Sequence, residues 1–118
     1  PHHEMLKHFS EARVYVGISL SDGISTSLLE AMATGCYPIQ TNTSCANEWV
    51  GAESRSIVKL DRHYEISDTI KFALSDYTHV DISSQRNYEF VQKYASSAAV
   101  SQVAVGFYNN FTNSPIVL

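Results

Sequence analysis

Asp22 and Glu30 stand eight residues apart, and a helical pattern begins between them. Ile24, Leu28 and Met32 form one i,i+4 row and Leu29 and Ala33 a second beside it, the spacing that gathers side chains on one helix face. Asp22 therefore falls in the turn before the helix, and Glu30 about one and a half turns inside it. Helical side chains lean toward the N-terminus, so Glu30 reaches back toward that turn. A helix N-terminus offers free N–H groups to an anion, and Gly23 lets the backbone come close to a ligand. Two carboxylates there could grip sugar or ribose hydroxyls while the N–H groups hold phosphate. Simpler roles compete. Asp22 is also an ordinary turn residue, and Ser27-Leu28-Leu29-Glu30 fits a capping box. Glu48 either joins a site or complements the dipole of a short helix. Trp49 reads as a packing residue.

Other reactive side chains point to less. His3-Glu4 and His8 form a pattern one residue too long for H-E-x-x-H. Five residues turn a helix by about 500°, which sets the two rings about 140° apart. They are expected to face solvent, and no metal site is expected. Cys36 and Cys45 form no C-x-x-C pair, so they read as reduced packing residues. Asn42-Thr43-Ser44 and Asn110-Phe111-Thr112 match the glycosylation sequon. Without a secretory signal in the sequence they are expected to be chance matches.

The elements that must position these groups follow from hydrophobic spacing. Residues 4–11 read as the end of a short helix. Val14-Tyr15-Val16-Gly17-Ile18 reads as a short strand buried on both faces. Residues 19–23 are turn material, a helix carries residues 24–33, and Gly35 stops it. Residues 36–40 read as a second strand, with Pro38 arguing for a strand end or a sheet edge, and residues 41–47 as a polar loop. Residues 56–60 give a third strand. Ile66, Ile70, Ala73 and Leu74 mark a helix that breaks near Ser75-Asp76. Asp81 is expected to cap the next helix, carrying Phe90, Val91, Tyr94 and Ala95. Ser96 or Ser97 caps a last one, with Val100, Val103, Ala104, Phe107, Tyr108 and Phe111 at ordinary core spacing, and Pro115 closes it. Strands alternating with helices predict an α/β fold, a parallel sheet of about three strands flanked by helices.

Composition narrows the functional classes. The chain has 118 residues, 44% of them hydrophobic and 17% charged, which excludes disorder and suits one compact domain. Eight Lys and Arg against twelve Asp and Glu give a net charge of −4, which argues against a nucleic-acid surface. No apolar run is long enough to span a membrane. The first residues, Pro1-His2-His3-Glu4, contain neither a start methionine nor a signal peptide, and a three-stranded sheet is thin. Residues 1–118 are accordingly expected to be a single partial domain of a longer protein.

The stretch from Ser19 to Ile39, with Asp22, Gly23, Glu30-Ala31-Met32-Ala33, Gly35 and Pro38 in register, resembles the E-x7-E region of retaining glycosyltransferases of family 4, which have the GT-B fold. Asn47-Glu48-Trp49-Val50 looks like the Glu-bearing helix start that follows the next strand in that family. Arg86-Asn87-Tyr88-Glu89-Phe90-Val91 and the last helix fit its C-terminal helices more loosely. The resemblance implies a partial Rossmann-like half-domain binding a nucleoside-diphosphate sugar, with an acceptor domain and the early strands of the donor domain supplied elsewhere. By position, Asp22 would be the catalytic-site residue that contacts the donor sugar, and Glu30 would take the ribose hydroxyls. The N–H groups near Gly23, Ile24, Ser25 and Thr26 would face the diphosphate, with Glu48 a further candidate. Two departures stand out: Asp22 replaces the commoner Glu, and Ser25 the second Gly of the turn.

Residues 14–54 hold no Lys or Arg, whereas a diphosphate leaving group needs cationic stabilisation. In the family resembled, an Arg and a Lys from earlier strand ends supply it without metal. The expectation is a part of a cytoplasmic enzyme, peripheral to the inner membrane through its missing domain. It would transfer a sugar to a carbohydrate or lipid-linked acceptor in polysaccharide or glycoconjugate synthesis. No cofactor is expected beyond the donor substrate. Exposed half-domain surface is expected to make a homodimer or larger species. The competing reading is a non-catalytic α/β module that binds nucleotide sugar or a subunit.

Overall fold

The computed structural model describes residues 1–43, 45–51 and 55–112. Its elements are α1 (His2–Glu11), β1 (Val14–Gly17), α2 (Thr26–Ala33), β2 (Tyr37–Thr41), α3 (Ala46–Val50), β3 (Ile57–Val58), α4 (His63–Ser75), α5 (Tyr77–Ala95) and α6 (Ser97–Asn109). The strands form one parallel sheet in the order β1-β2-β3, so the fold is the α/β arrangement expected of a partial Rossmann-like half-domain.

β2 is central and all five of its residues are buried. Pro38 nevertheless fits, for a local reason. Parallel strands send successive N–H groups to alternate neighbours. Tyr37 N–H bonds Arg13 on the β1 side, and Gln40 N–H bonds Ser56 on the β3 side. Pro38 would face β3, but β3 starts only opposite Gln40. The missing donor costs the ladder nothing there.

The pleat divides the core in two. Tyr37 and Ile39 face a cluster with Val58, Ala73 and Val80, against which Val14, Ile66 and Ile70 pack. The opposite face meets α2 and α3 through Leu28, Met32, Val50 and Val91, with Tyr15 and Ile57 alongside. α5 joins the two layers, since Val80 near its start belongs to the first cluster and Val91 near its end to the second. Each fully buried large side chain contributes about 1.5–3 kcal/mol. Cys36 ties α1 to the sheet: its thiol donates to the carbonyls of Phe9 and Ala12 at 2.9 and 3.3 Å. Burial pushes that thiol's pKa up, opposed in part by a hydrogen bond with Thr34.

Several expectations need correction. β1 is not buried on both faces: Val16 is 42% exposed and Ile18 45%, because β1 is a sheet edge with β2 as its only neighbour among the described strands. It ends at Gly17 and the third strand shrinks to Ile57–Val58, while the second shifts one residue to Tyr37–Thr41. Part of the expected 41–47 loop is the short helix α3. α5 begins earlier than expected and is capped by Asp76, whose carboxylate accepts from His79 N–H at 3.0 Å. Asp81 lies inside the helix and takes the Arg13 guanidinium at 3.0 Å. Ser96 caps α6 by accepting from Ala99 N–H. The apolar row of α6 is not core: none of its residues is buried, and Val103 is 74% exposed. The expected stop at Pro115 lies outside the described residues.

Candidate functional site

The site begins where β1 runs out. Ser19 is fixed to β2 by a reciprocal pair of bonds: its N–H donates to Thr41 Oγ1 at 2.9 Å, and the Thr41 hydroxyl donates to its carbonyl at 2.8 Å. The chain is thereby held at the carboxyl end of the sheet, where ligands of open α/β folds bind. The turn carries Asp22 and Gly23 and delivers Ser25 to the N-cap of α2. Ser25 has extended backbone, φ −71° and ψ 114°, and its hydroxyl accepts from Leu28 N–H at 3.3 Å. The N–H groups of Thr26 and Ser27 have no intrahelical acceptor by helix geometry.

This corrects two readings at once. The helix starts at Thr26 rather than Ile24, which is half exposed in the turn. With Ser25 as the cap, Ser27 sits inside the first turn and Glu30 is two residues beyond the capping-box position, so the capping box is not formed. Glu30 instead meets His2 of α1, with Nε2 to Oε1 at 3.2 Å, and its side chain is 23% exposed.

Asp22, Gly23, Ile24 and Ser25 come together along one side of a narrow crevice closed by Leu28, Gln40, Thr43, Ala46 and Trp49. It measures about 10 Å³, room for about one water or one hydroxyl. Thr26, Glu30 and Glu48 do not line it. Glu48 is exposed in the first turn of α3, and Trp49 also packs edge-on against Phe90 at 5.7 Å.

Sequence spacing missed Gln40. The spacing makes it only the last residue of a second strand, although a polar amide among apolar neighbours is itself a signal. The residue is 2% exposed, and Oε1 is buried without a hydrogen-bond partner among the described residues. The register sets it opposite Gly17. A Cβ built on Gly17 would collide with Gln40 Oε1 and approach the Tyr15 hydroxyl. Glycine at position 17 is therefore what lets the amide lie across β1.

Positive charge gathers elsewhere. A wider hollow beyond β2 and β3 is lined by Arg55, Lys59, Arg62, Glu65, Asp68 and Phe72. There Arg62 holds Glu65 at 2.6 Å and Arg55 lies 4.5 Å over the Phe72 ring. The hydrogen bond with Arg62 draws the Glu65 pKa below its ordinary value. No Lys or Arg lines the crevice beside Asp22. The histidines of α1 face solvent. Among the described residues no group of three or more His, Cys, Asp or Glu is placed to hold a metal.

The sequence model of a family described as "Glycosyl transferases group 1" matches residues 1–90. That span runs from α1 into α5 and takes in the whole crevice. No curated protein matches the chain, and no solved structure does.

Proposed function

Since the chain belongs to the glycosyl transferases group 1 family, we propose that it forms the donor-side part of a retaining glycosyltransferase of hexosyltransferase type, acting in polysaccharide or glycoconjugate synthesis. The observation that carries this reading is the Ser25-capped start of α2, opening beside Asp22 and Gly23 at the carboxyl end of the sheet. A nucleoside-diphosphate sugar is the ligand whose chemistry matches: an anion for the N–H groups and hydroxyls for the carboxylates. In this reading Asp22 receives hydroxyls of the donor sugar, and Thr26 and Ser27 N–H groups take the diphosphate. Glu30 exchanges His2 for the ribose hydroxyls. The glycosidic bond to phosphate breaks, and the new bond forms at the same anomeric carbon with its configuration kept.

The diphosphate leaves with more charge than one helix end can neutralise. Cations from earlier strands of the same domain would complete it without a metal, and a second domain would bring the carbohydrate or lipid-linked acceptor. We place that enzyme in the cytoplasm, with its acceptor domain at the inner membrane. No helix among the described residues is long and apolar enough to cross a membrane. The cation-free crevice favours one second reading, a nucleotide-sugar-binding module without catalysis.

Calorimetric titration with UDP, GDP and their hexose conjugates tests the donor site directly. Binding of one conjugate in the micromolar-to-millimolar range is expected, and failure of all of them would remove the proposal. Transfer assays on the full-length parent then separate enzyme from module.

A further inference from the structure

We propose that Gln40 is a donor-positioning residue, whose side-chain amide receives one hydroxyl of the donor sugar. The inference rests on the donor-site reading above and adds a residue that the motif does not contain. Gln40 is 98% buried by its 2% exposure, and its Oε1 has no partner among the described residues. A buried amide left unpaired costs free energy that an apolar side chain at the same place would not. Its neighbours on that face of the sheet are Tyr15, Gly17, Pro38 and Ile57, which offer one hydroxyl, and that hydroxyl makes no hydrogen bond to it. Gln40 nevertheless lines the crevice formed by Asp22, Gly23 and Ser25, so the residue borders the space a ligand at the α2 N-terminus would enter.

The chemistry of the orphan identifies its complement. Oε1 accepts, and a phosphate oxygen also accepts, so a diphosphate could satisfy the amide only in the turned orientation that offers Nε2. A sugar hydroxyl donates and accepts, and it satisfies the amide whichever way the amide is turned. The crevice has room for about one such group. Asp22 lines the same notch, so the hydroxyl bound by Gln40 would lie on the part of the sugar that Asp22 holds. Gly17 is the second half of the device. Without a side chain it leaves the amide lying over β1, where any Cβ would push it away.

The test compares bare nucleotides with their sugar conjugates on the 118-residue chain and on Gln40→Met, which keeps length and removes the amide. UDP and GDP are titrated beside UDP-glucose, UDP-N-acetylglucosamine and GDP-mannose, and denaturant midpoints are measured for both proteins. In the wild type one conjugate should bind more tightly than its bare nucleotide. Gln40→Met should lose about tenfold of that sugar increment, keep its affinity for the bare nucleotide, and unfold at a higher denaturant concentration because the orphan is gone. Gln40→Ala repeats the comparison should the methionine variant fold poorly. A wild type with no sugar increment, or a variant that retains it, overturns the role of Gln40 and leaves the nucleotide site standing. A variant that retains the increment and is less stable shows instead an amide satisfied by a resident water. A wild type that binds neither bare nucleotides nor their conjugates removes the donor reading itself, and the role of Gln40 with it.

Discussion

Glu30 shows how far one side chain's meaning depends on its partners. Its carboxylate is engaged by His2, a pair exposed on the histidine side and therefore worth little to stability. Replacing it should be a test of binding alone. Glu30→Gln is expected to weaken nucleotide binding by about ten- to a hundred-fold, the loss of a charge-assisted hydrogen bond. Because Ser25 and not Glu30 serves the cap, Glu30→Ala should change unfolding free energy by only about 0.5 kcal/mol. Paired titrations and denaturant midpoints read both; unchanged affinity in the two variants would take Glu30 out of the site. Glu65 offers a check on the wider hollow. Its pKa is drawn down chiefly by the hydrogen bond from Arg62, with the Lys59 N–H contributing. A depressed native value means that the pair's support is present above the unfolded-state value and is lost as pH falls through the native one. NMR titration of the carboxyl carbon should find Glu65 below the ordinary glutamate range, and Arg62→Ala should move it back up.

At the scale of elements, α2 is a short helix whose start is fixed by one hydroxyl. Ser25→Ala removes the acceptor for Leu28 N–H and should cost about 0.5–2 kcal/mol. It should also lower nucleotide affinity, since the same turn presents the free N–H groups. Ser25→Gly should restore most of the stability, because glycine is tolerated at an N-cap. A stability loss in Ser25→Ala with affinity intact would separate the cap from the ligand site. β1 and β2 form a second such unit through Gly17 and Gln40. Gly17→Ala meets only the far ends of the Gln40 and Tyr15 side chains, so the fold should survive while the amide moves. Nucleotide binding should hold in that variant, and discrimination among sugars should weaken as in Gln40→Met.

The whole molecule is extended, 56 by 29 by 28 Å, with a Cα radius of gyration of 16.5 Å against about 13.5 Å for a compact domain of this length. Its surface of 7794 Å² exceeds the roughly 6,400 Å² expected from its mass. α6 packs on α5 and leaves Val100, Val103, Phe107, Tyr108 and Phe111 more than half exposed, while β1 presents a sheet edge. Apolar surface of this kind drives association. The isolated chain should sediment as a dimer or larger species, and Val103→Glu with Phe107→Glu should shift it toward monomer. A wild-type profile that stays monomeric at high concentration would count against this. The isolated chain should also turn over no nucleotide sugar above a heat-killed control, because no cation lines the crevice and catalysis of diphosphate departure needs one.

The sequence by itself determined the alternation of strands and helices, because period 2 and period 3.6 are local properties of the chain. It also determined the place of the Asp22-Gly23 turn and the helix behind it, since turn chemistry and the Ala31-Met32-Ala33-x-Gly35 pattern are written within a few residues. Tertiary structure decided the rest. Two serines, Ser25 and Ser27, stood at the start of α2, and only backbone geometry chose Ser25 as its cap, which changed Glu30 from a capping residue to the partner of His2. Pro38 read as a strand end or sheet edge, yet it lies in the central strand, because the late start of β3 leaves its missing donor unneeded. The row on α6 has core spacing and lies in solvent, since periodicity marks an apolar face but not what covers it. Gln40 became visible only across strands. Its orphaned oxygen and the glycine beneath it are 23 residues apart in sequence and adjacent in register, and pairing between strands is a contact that no local pattern contains.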